Sequence, residues 1–271
     1  MSGSLRAKTI ERLAEHSLKV SIVTVVFNNC DTIEAAIKSV LAQNHRDIEL
    51  IVIDGGSTDG TREVLAQYES SIAILVSEPD DGIYHALNKG IDLASGEAIG
   101  FLHSDDLFAD NFAVERVVHA LADPTVDAAY GDLVYVRKLD PTCVVRHWRA
   151  GTYRPELLRR GWMPPHPTFY ARRELYQRHG GFEVSLRIAG DYDCMLRFLV
   201  AGAKLAYIPQ VQVRMRLGGA SNRSLRNIIT KSYEDYRALR RHGVGGVGAV
   251  LWKNLSKLPQ FLSARRLPKL A

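Results

Sequence analysis

The strongest constraint on this chain is an alternation of short apolar runs with helical periods. Residues 20–27 (VSIVTVVF) are dense in β-branched side chains and too few for an ordinary helix, so they read as a buried strand. Ile33, Ala36, Ile37, Val40 and Leu41 then recur at helical spacing and define one face of an amphipathic helix. Asp31 is the expected N-cap, with Glu34 three positions on in capping-box spacing. The pattern repeats: strand 48–53, helix 62–68, strand 72–76, helix 83–94, strand 98–102. Strands alternating with helices predict a parallel sheet covered on both faces, because right-handed crossovers permit little else.

Ligands of such sheets sit at the carboxyl ends of the strands. The polar residues there are Asn28, Asp54, residues 78–81 and residues 103–106. Three of these four strand ends carry carboxylates, which suits a phosphate-binding rim only with a cation between. Beyond about residue 125 the pattern loosens. Residues 128–136 and 143–148 read as paired strands, 155–160 as a short helix, and 172–179 as a helix closed by Gly180 and Gly181. Residues 192–200 form a helix preceded by Gly190 and Asp191, 224–241 a basic helix, and 249–262 a last amphipathic piece.

Composition matters mainly through charge. The chain of 271 residues has a net charge of +5, but residues 204–271 hold 14 Lys and Arg against 2 Asp and Glu. An acidic body therefore carries a basic tail, and the two are expected to face different surroundings. With 46% hydrophobic residues the chain is globular rather than disordered. Three scattered cysteines, Cys30, Cys143 and Cys194, fit a reducing cytoplasm and give no CxxC metal pair. No apolar run suits a signal peptide or a membrane-spanning helix.

Several chemistries are excluded by motif. Residues 243–248 (GVGGVG) satisfy GxGxxG, yet a charged helix precedes them and no acid follows, so the dinucleotide reading fails. There is no Walker A sequence, no GxSxG elbow and no zinc-ligand spacing of histidines. What remains are two acidic constellations. Ser104-Asp105-Asp106 ends the fourth strand, and adjacent carboxylates in a tight turn need a divalent ion or hydrogen-bond donors close by. Mg²⁺ or Mn²⁺ suits such hard ligands and bridges diphosphate oxygens; the plain alternative is an N-capping turn. Asp191, at a helix start, is either a cap or a general base.

The order of these motifs resembles the inverting glycosyltransferases of family 2, which have the GT-A fold. The resemblance rests on residues 21–28 (SIVTVVFN), 52–61 (VIDGGSTDGT), 82–91 (GIYHALNKGI), 95–97 (SGE), 101–106 (FLHSDD), 166–170 (HPTFY), Gly181-Phe182 and 190–193 (GDYD). It covers about residues 20–210 and implies sugar transfer from a nucleotide-diphosphate donor, UDP-sugar first, to an acceptor hydroxyl with inversion. It further implies that Thr24, Phe27, Asn28, Asp54 and Asp81 hold the nucleotide, with Phe27 stacking on the base. Asp105 would ligate Mg²⁺ or Mn²⁺ with Asp106 as its support, His103 and Ser104 would lie on the donor and ribose side, and Asp191 would be the catalytic base. Two positions depart from the family pattern: His103 replaces the first Asp of DxD, and Gly190 replaces the Glu that precedes the base.

Lys89 is expected either to approach the diphosphate or to lie on a helix surface. Trp162 and His166, flanking Pro164-Pro165, are candidate acceptor-side residues. The expected organisation is a polar leader (1–19), a GT-A domain (20–215) and a basic helical extension (216–271). The expected role is assembly of a cell-surface polysaccharide or glycolipid. The rivals are a non-catalytic nucleotide-sugar binder at the membrane and a nucleotidyltransferase, which would want a basic Gly-rich loop after the first strand. Residues 249–262 interleave Val250, Leu251, Trp252, Leu255, Leu258, Phe261 and Leu262 with Lys253 and Lys257. That pattern predicts either docking on the anionic inner leaflet near a lipid-linked acceptor, or packing on the catalytic domain or on a second subunit of a homodimer. No nucleic-acid partner is expected.

Overall fold

The computed structural model describes residues 18–218 and 225–256. Its first half is the predicted alternation: β1 (Val20–Val26), α1 (Cys30–Leu41), β2 (Ile48–Asp54), α2 (Thr61–Ala66), β3 (Ile74–Ser77), α3 (Ile83–Leu93) and β4 (Ala98–Phe101). These strands pair in parallel in the order β3-β2-β1-β4. All seven residues of β1 are buried, as a central parallel strand covered on both faces requires. Val20, Ile22 and Val26 pack with Ile33, Ile37 and Val40 of α1 on one face. Val23 and Val25 pack with Tyr84, Ala86 and Leu87 of α3 on the other.

The second half adds β5 (Leu107–Phe108), α4 (Ala113–Ala120), β6 (Ala128–Val136), β7 (Val144–Trp148), β8 (Tyr170–Arg172), α5 (Arg173–His179), α6 (Gly190–Val200) and β9 (Leu205–Arg216). The sheet continues as β4-β8-β6-β9-β5, with β7 also on β6, so among the described residues nine strands form one mixed sheet. The expected pairing of β6 with β7 is present and antiparallel. β8 enters antiparallel to both β4 and β6, and Gly100 makes room for it: a Cβ there would meet the Tyr170 ring at 2.0 Å.

The tail forms α7 (Leu225–Arg241) and α8 (Val247–Leu255). A third core joins them to the body through Leu158, Tyr192, Leu196, Leu199, Leu239 and Val250. Ala249, Val250 and Lys253 of α8 face inward, while Val247, Leu251, Trp252 and Leu255 are exposed. The basic flank expected at Lys253 is therefore buried in the protein; Lys257, Leu258, Phe261 and Leu262 lie outside the described residues, as does the leader through residue 17. Asp31 is not the N-cap of α1. The helix starts at Cys30, whose N–H donates to Asp59 Oδ2 at 3.0 Å. Glu34 turns instead to Tyr68 and Lys38, so no capping box forms.

Candidate active site

Strand order reverses between β1 and β4, so the crevice at their carboxyl ends is where this topology admits a ligand. One wall begins at Phe27, which is 64% exposed although it follows a fully buried strand. Gly55 lies against its ring, where a Cβ would come within 3.4 Å of Phe27 Cδ2. Asn28, with φ of 48°, accepts from Thr58 N–H at 2.8 Å and donates its own N–H to Ser57 Oγ at 2.8 Å. It thereby clamps the loop after β2 against the end of β1.

Three expected nucleotide contacts, Thr24, Asp54 and Asp81, are placed differently from the sequence reading, and Lys89 takes the second of its two expected places, on the surface of α3. Thr24 is 1% exposed in the middle of β1, inside the core and away from the crevice. Asp54 is fully buried, and its carboxylate accepts from Ser57 N–H, Ser57 Oγ and Ser77 Oγ; it ties β2 to β3 rather than offering oxygens to a base. Asp81 is exposed, whereas its neighbour Asp80 turns inward beside Gly55 and Phe27. Lys89 is held by Glu78 and Asp80 at 2.6 and 2.8 Å, so its ammonium fixes Asp80 and is not aimed at a diphosphate.

The turn after β4 is held from three sides. Ser104 is buried; its Oγ accepts from Asn29 Nδ2 and its carbonyl from Thr32 Oγ1, both at 2.9 Å, so it is a clamp rather than a ribose contact. Arg216 of β9 donates Nη1 to the Asp105 carbonyl at 2.7 Å and its backbone N–H to Asp106 Oδ1 at 3.1 Å. Asp106 is fully buried and its Oδ2 has no partner among the described residues. Burial first, and then the charge of Asp105, push its carboxyl well above the usual carboxylate range. Asp106 thus supports the turn, and part-exposed Asp105 is the carboxylate it presents. No group of three or more His, Cys, Asp or Glu side chains forms an ion cage among the described residues. One carboxylate fits a Mg²⁺ or Mn²⁺ whose other ligands are phosphate oxygens and water.

Asp191 lies in the first turn of α6, with Oδ1 accepting from Tyr192 N–H at 2.8 Å. The segment before it is fixed by two residues from elsewhere. Tyr84 Oη accepts from Gly190 N–H at 2.9 Å and donates to the Ile188 carbonyl at 2.6 Å. Glu234 of α7, 6% exposed, accepts from the N–H groups of Arg187, Ile188 and Ala189 at 2.9, 2.8 and 2.8 Å. The departure at Gly190 has a steric cause: any Cβ there would lie 2.7 Å from the Tyr84 ring. A carboxylate still reaches this segment, supplied by α7 instead of by residue 190.

A cleft of about 430 Å³ brings together His103, Asp191 and the pair Trp162 and His166, from three separate parts of the sequence. Burial pushes the His103 imidazole below its ordinary value, while the carboxylates of Asp105 and Asp191 pull the other way. His166 stacks on Phe101 at 5.5 Å, and burial brings it down to about 3, so it is neutral at physiological pH. Trp162 stacks on Tyr153 and donates Nε1–H to the Ala150 carbonyl at 3.2 Å. Sequence reasoning missed Tyr84, Arg216 and Glu234, and within residues 78–81 it named Asp81 where Asp80 is the one turned inward. Tyr84 lies inside a motif already singled out, and Glu234 is one of only two acids in the basic stretch 204–271, a signal that was present but unread.

A family model described as "Glycosyl transferase family 2" matches residues 21–182, ending before Asp191. An uncharacterized glycosyltransferase of Mycobacterium tuberculosis is 36% identical over 187 residues, covering 66% of this chain and 68% of that protein. A PGL/p-HBAD biosynthesis glycosyltransferase of Mycobacterium bovis is 28% identical over 208 residues, covering 74% and 78%. Among solved structures, the Pyrobaculum calidifontis mannosyltransferase PcManGT in complex with GDP-Man and Mn²⁺ aligns with a TM-score of 0.65 at 20% identity, covering 96% and 81%. S. aureus TarS 1-349 in complex with UDP-GlcNAc aligns with a TM-score of 0.65 at 16% identity, covering 84% and 66%. The chain spans 39% of the longer TarS chain. These alignments establish the GT-A fold.

Proposed function

The chain belongs to glycosyl transferase family 2, and from that membership we propose that it moves a sugar from a nucleoside-diphosphate donor, UDP-sugar first, to an acceptor hydroxyl with inversion. The observation carrying this reading is the convergence of the β4 turn and the start of α6 on one cleft, which His103 and Asp191 line together. Residues 20–215 serve as the catalytic domain in this reading, and 216–271 as an extension of it.

Phe27 stacks on the base and Asp80 lines the same wall. Asp105 would hold a Mg²⁺ or Mn²⁺ ion, which when bound supplies positive charge to the departing diphosphate. Asp191 takes the proton of the acceptor hydroxyl as its oxygen attacks the anomeric carbon from the face opposite the leaving group. The bond to the diphosphate oxygen breaks and its electron pair leaves with the nucleotide. No covalent enzyme intermediate is needed. Trp162 offers an aromatic face to the acceptor glycan.

The acceptor is a glycan or a lipid-linked saccharide, made at the cytoplasmic face of the membrane. Supporting this is the outward face of α8, where Val247, Leu251, Trp252 and Leu255 are exposed beside Arg160, which lies 5.5 Å from the Trp252 ring. Among the described residues no helix is long and apolar enough to cross a membrane. Each basic residue near an anionic leaflet adds about 1 kcal/mol, so full-length protein should co-sediment with anionic vesicles at low salt. Sedimentation without vesicle binding, as a dimer, would assign that face to a second subunit.

The deciding experiment for the reaction is a panel of nucleotide sugars and simple acceptors with Mg²⁺ or Mn²⁺, reading both products. Transfer with release of a nucleoside diphosphate supports the proposal. Release of pyrophosphate would mark a nucleotidyltransferase, and binding without turnover across the panel would mark a non-catalytic binder.

A further inference from the structure

The cleft has a cationic end. Arg146 of β7, Arg149 just after it, Lys231 of α7 and Lys253 of α8 all line it, against two carboxylates, Asp191 and Asp235. Asp235 is engaged by Lys253 at 2.8 Å, and that ammonium also lies 3.3 Å from the Tyr192 ring centroid. Arg146 rests on Tyr135 and Trp148, with its guanidinium carbon 4.5 and 5.8 Å from the ring centroids. Arg149 and Lys231 form no ion pair among the described residues. Burial, and then the like charge of Lys231, oppose protonation of Lys253, while Asp235 and Asp191 favour it; the balance brings its ammonium down to about 8. Cations collected from three stretches of chain favour an anion placed among them.

The order along the cleft identifies whose anion. His103 enters the cleft from the β4 turn, two residues before Asp105, whereas Lys253 lies against the ring of Tyr192, the residue next to Asp191. The cations therefore gather on the α6 side of the cleft, beside Asp191. Resting on the proposed sugar transfer, we propose that Arg149, Lys231, Arg146 and Lys253 form a subsite for a phosphate group carried by the acceptor. A phosphate offers acceptor oxygens in several directions, which suits guanidinium and ammonium donors arriving from separate elements. A phosphorylated glycan and a phosphate-linked lipid saccharide both have this chemistry, while the donor's own diphosphate is the competing source.

The test uses the full chain and saturation-transfer NMR with glycerol 1-phosphate, glycerol as the control, and UDP with Mg²⁺ as the donor-side probe. Glycerol 1-phosphate should bind at millimolar concentration where glycerol does not, and its signal should persist when UDP and Mg²⁺ are saturating. The Arg149→Ala, Lys231→Ala double variant should weaken it at least tenfold with Tm unchanged, and Arg149→Lys with Lys231→Arg should restore it. Displacement of glycerol 1-phosphate by UDP would hand the cations to the donor diphosphate and overturn the subsite. Equal signals for glycerol and its phosphate would overturn it as well. Failure of UDP to bind while glycerol 1-phosphate does would sink the donor reading and leave the phosphate site standing.

Discussion

Replacing Glu234 by Gln isolates what α7 does for Asp191, the proposed base. The carboxylate accepts three N–H groups at 2.8–2.9 Å from a buried position, with Ile188 and Ala189 sharing Oε2 and Arg187 on Oε1. A hydrogen bond to a charged acceptor is worth about 1.5–3 kcal/mol net. Gln keeps one carbonyl oxygen for the shared pair and turns its NH₂ toward the third N–H. One bond is lost and two donors face each other, so about 2–3 kcal/mol of folding stability should go. Ala would strip all three and cost about 3–5 kcal/mol, enough to threaten folding, so Gln is the informative change. Residues 187–189 run directly into Gly190 and Asp191, and a displacement of about 1 Å at a reacting group can cost 10²-fold. Urea unfolding should show the stability loss. Transfer assays well below Tm should show kcat lower by about 10–100-fold with the donor KM unchanged, because the donor wall stands on β1–β4. A variant that loses stability yet keeps wild-type kcat would refute the reasoning, since Glu234 would then be a strut for α7 and nothing more.

Other expectations are as direct. Asp191→Asn is nearly isosteric and should lower the transfer rate by about 10²–10⁴-fold while nucleotide affinity stays, as calorimetry with the nucleotide would show. Asp105→Asn, and separately EDTA, should abolish transfer with circular dichroism unchanged; full activity under chelation would remove the metal from the mechanism. Gly190→Ala sets a Cβ 2.7 Å from a Tyr84 ring that is hydrogen-bonded at both ends of its segment, and should cost about 1–3 kcal/mol by thermal unfolding. Glu49 is buried, which raises its carboxyl, but hydrogen bonds from Ser21, Ser95 and Lys19 prevail and hold it at about 2. Its folded value lies below the ordinary 4.5, so its contribution is present above pH 4.5 and lost as pH falls toward 2. Glu49→Gln should therefore cost about 1–2 kcal/mol at pH 7, allowing for solvent screening at Lys19, and nothing near pH 2.

The first four strands were legible because burial on both faces leaves an apolar run that nothing else explains. β5 and β8 were not, since two or three residues carry no period. β9 was hidden by Pro209: register against β6 jumps from Gly131 with Ile208 to Asp132 with Val211, so Pro209 and Gln210 bulge out where a missing N–H does no harm. On the site, strand ends pointed to Asn28 and the 103–106 turn, and the family resemblance to Phe27. They could not separate Asp80 from Asp81, because that choice depends on where Lys89 swings across from α3. Nor could spacing reveal that Ser104 and Asp54 are spent inside the protein, or that α7 returns a carboxylate to Asp191.

That returning carboxylate also sets an order of events during synthesis. Glu234 is made 45 to 47 residues after the three N–H groups it binds, and Lys253 later still. At about 5–20 residues per second, several seconds separate the two on the ribosome. The parallel strands β1–β4 are all out by then. Until α7 closes over it, the segment before Asp191 is tied by Tyr84 alone. A chain interrupted in that interval would lack the three hydrogen bonds from Glu234 that fix residues 187–189, so the setting of Asp191 is the last part of the cleft to be completed.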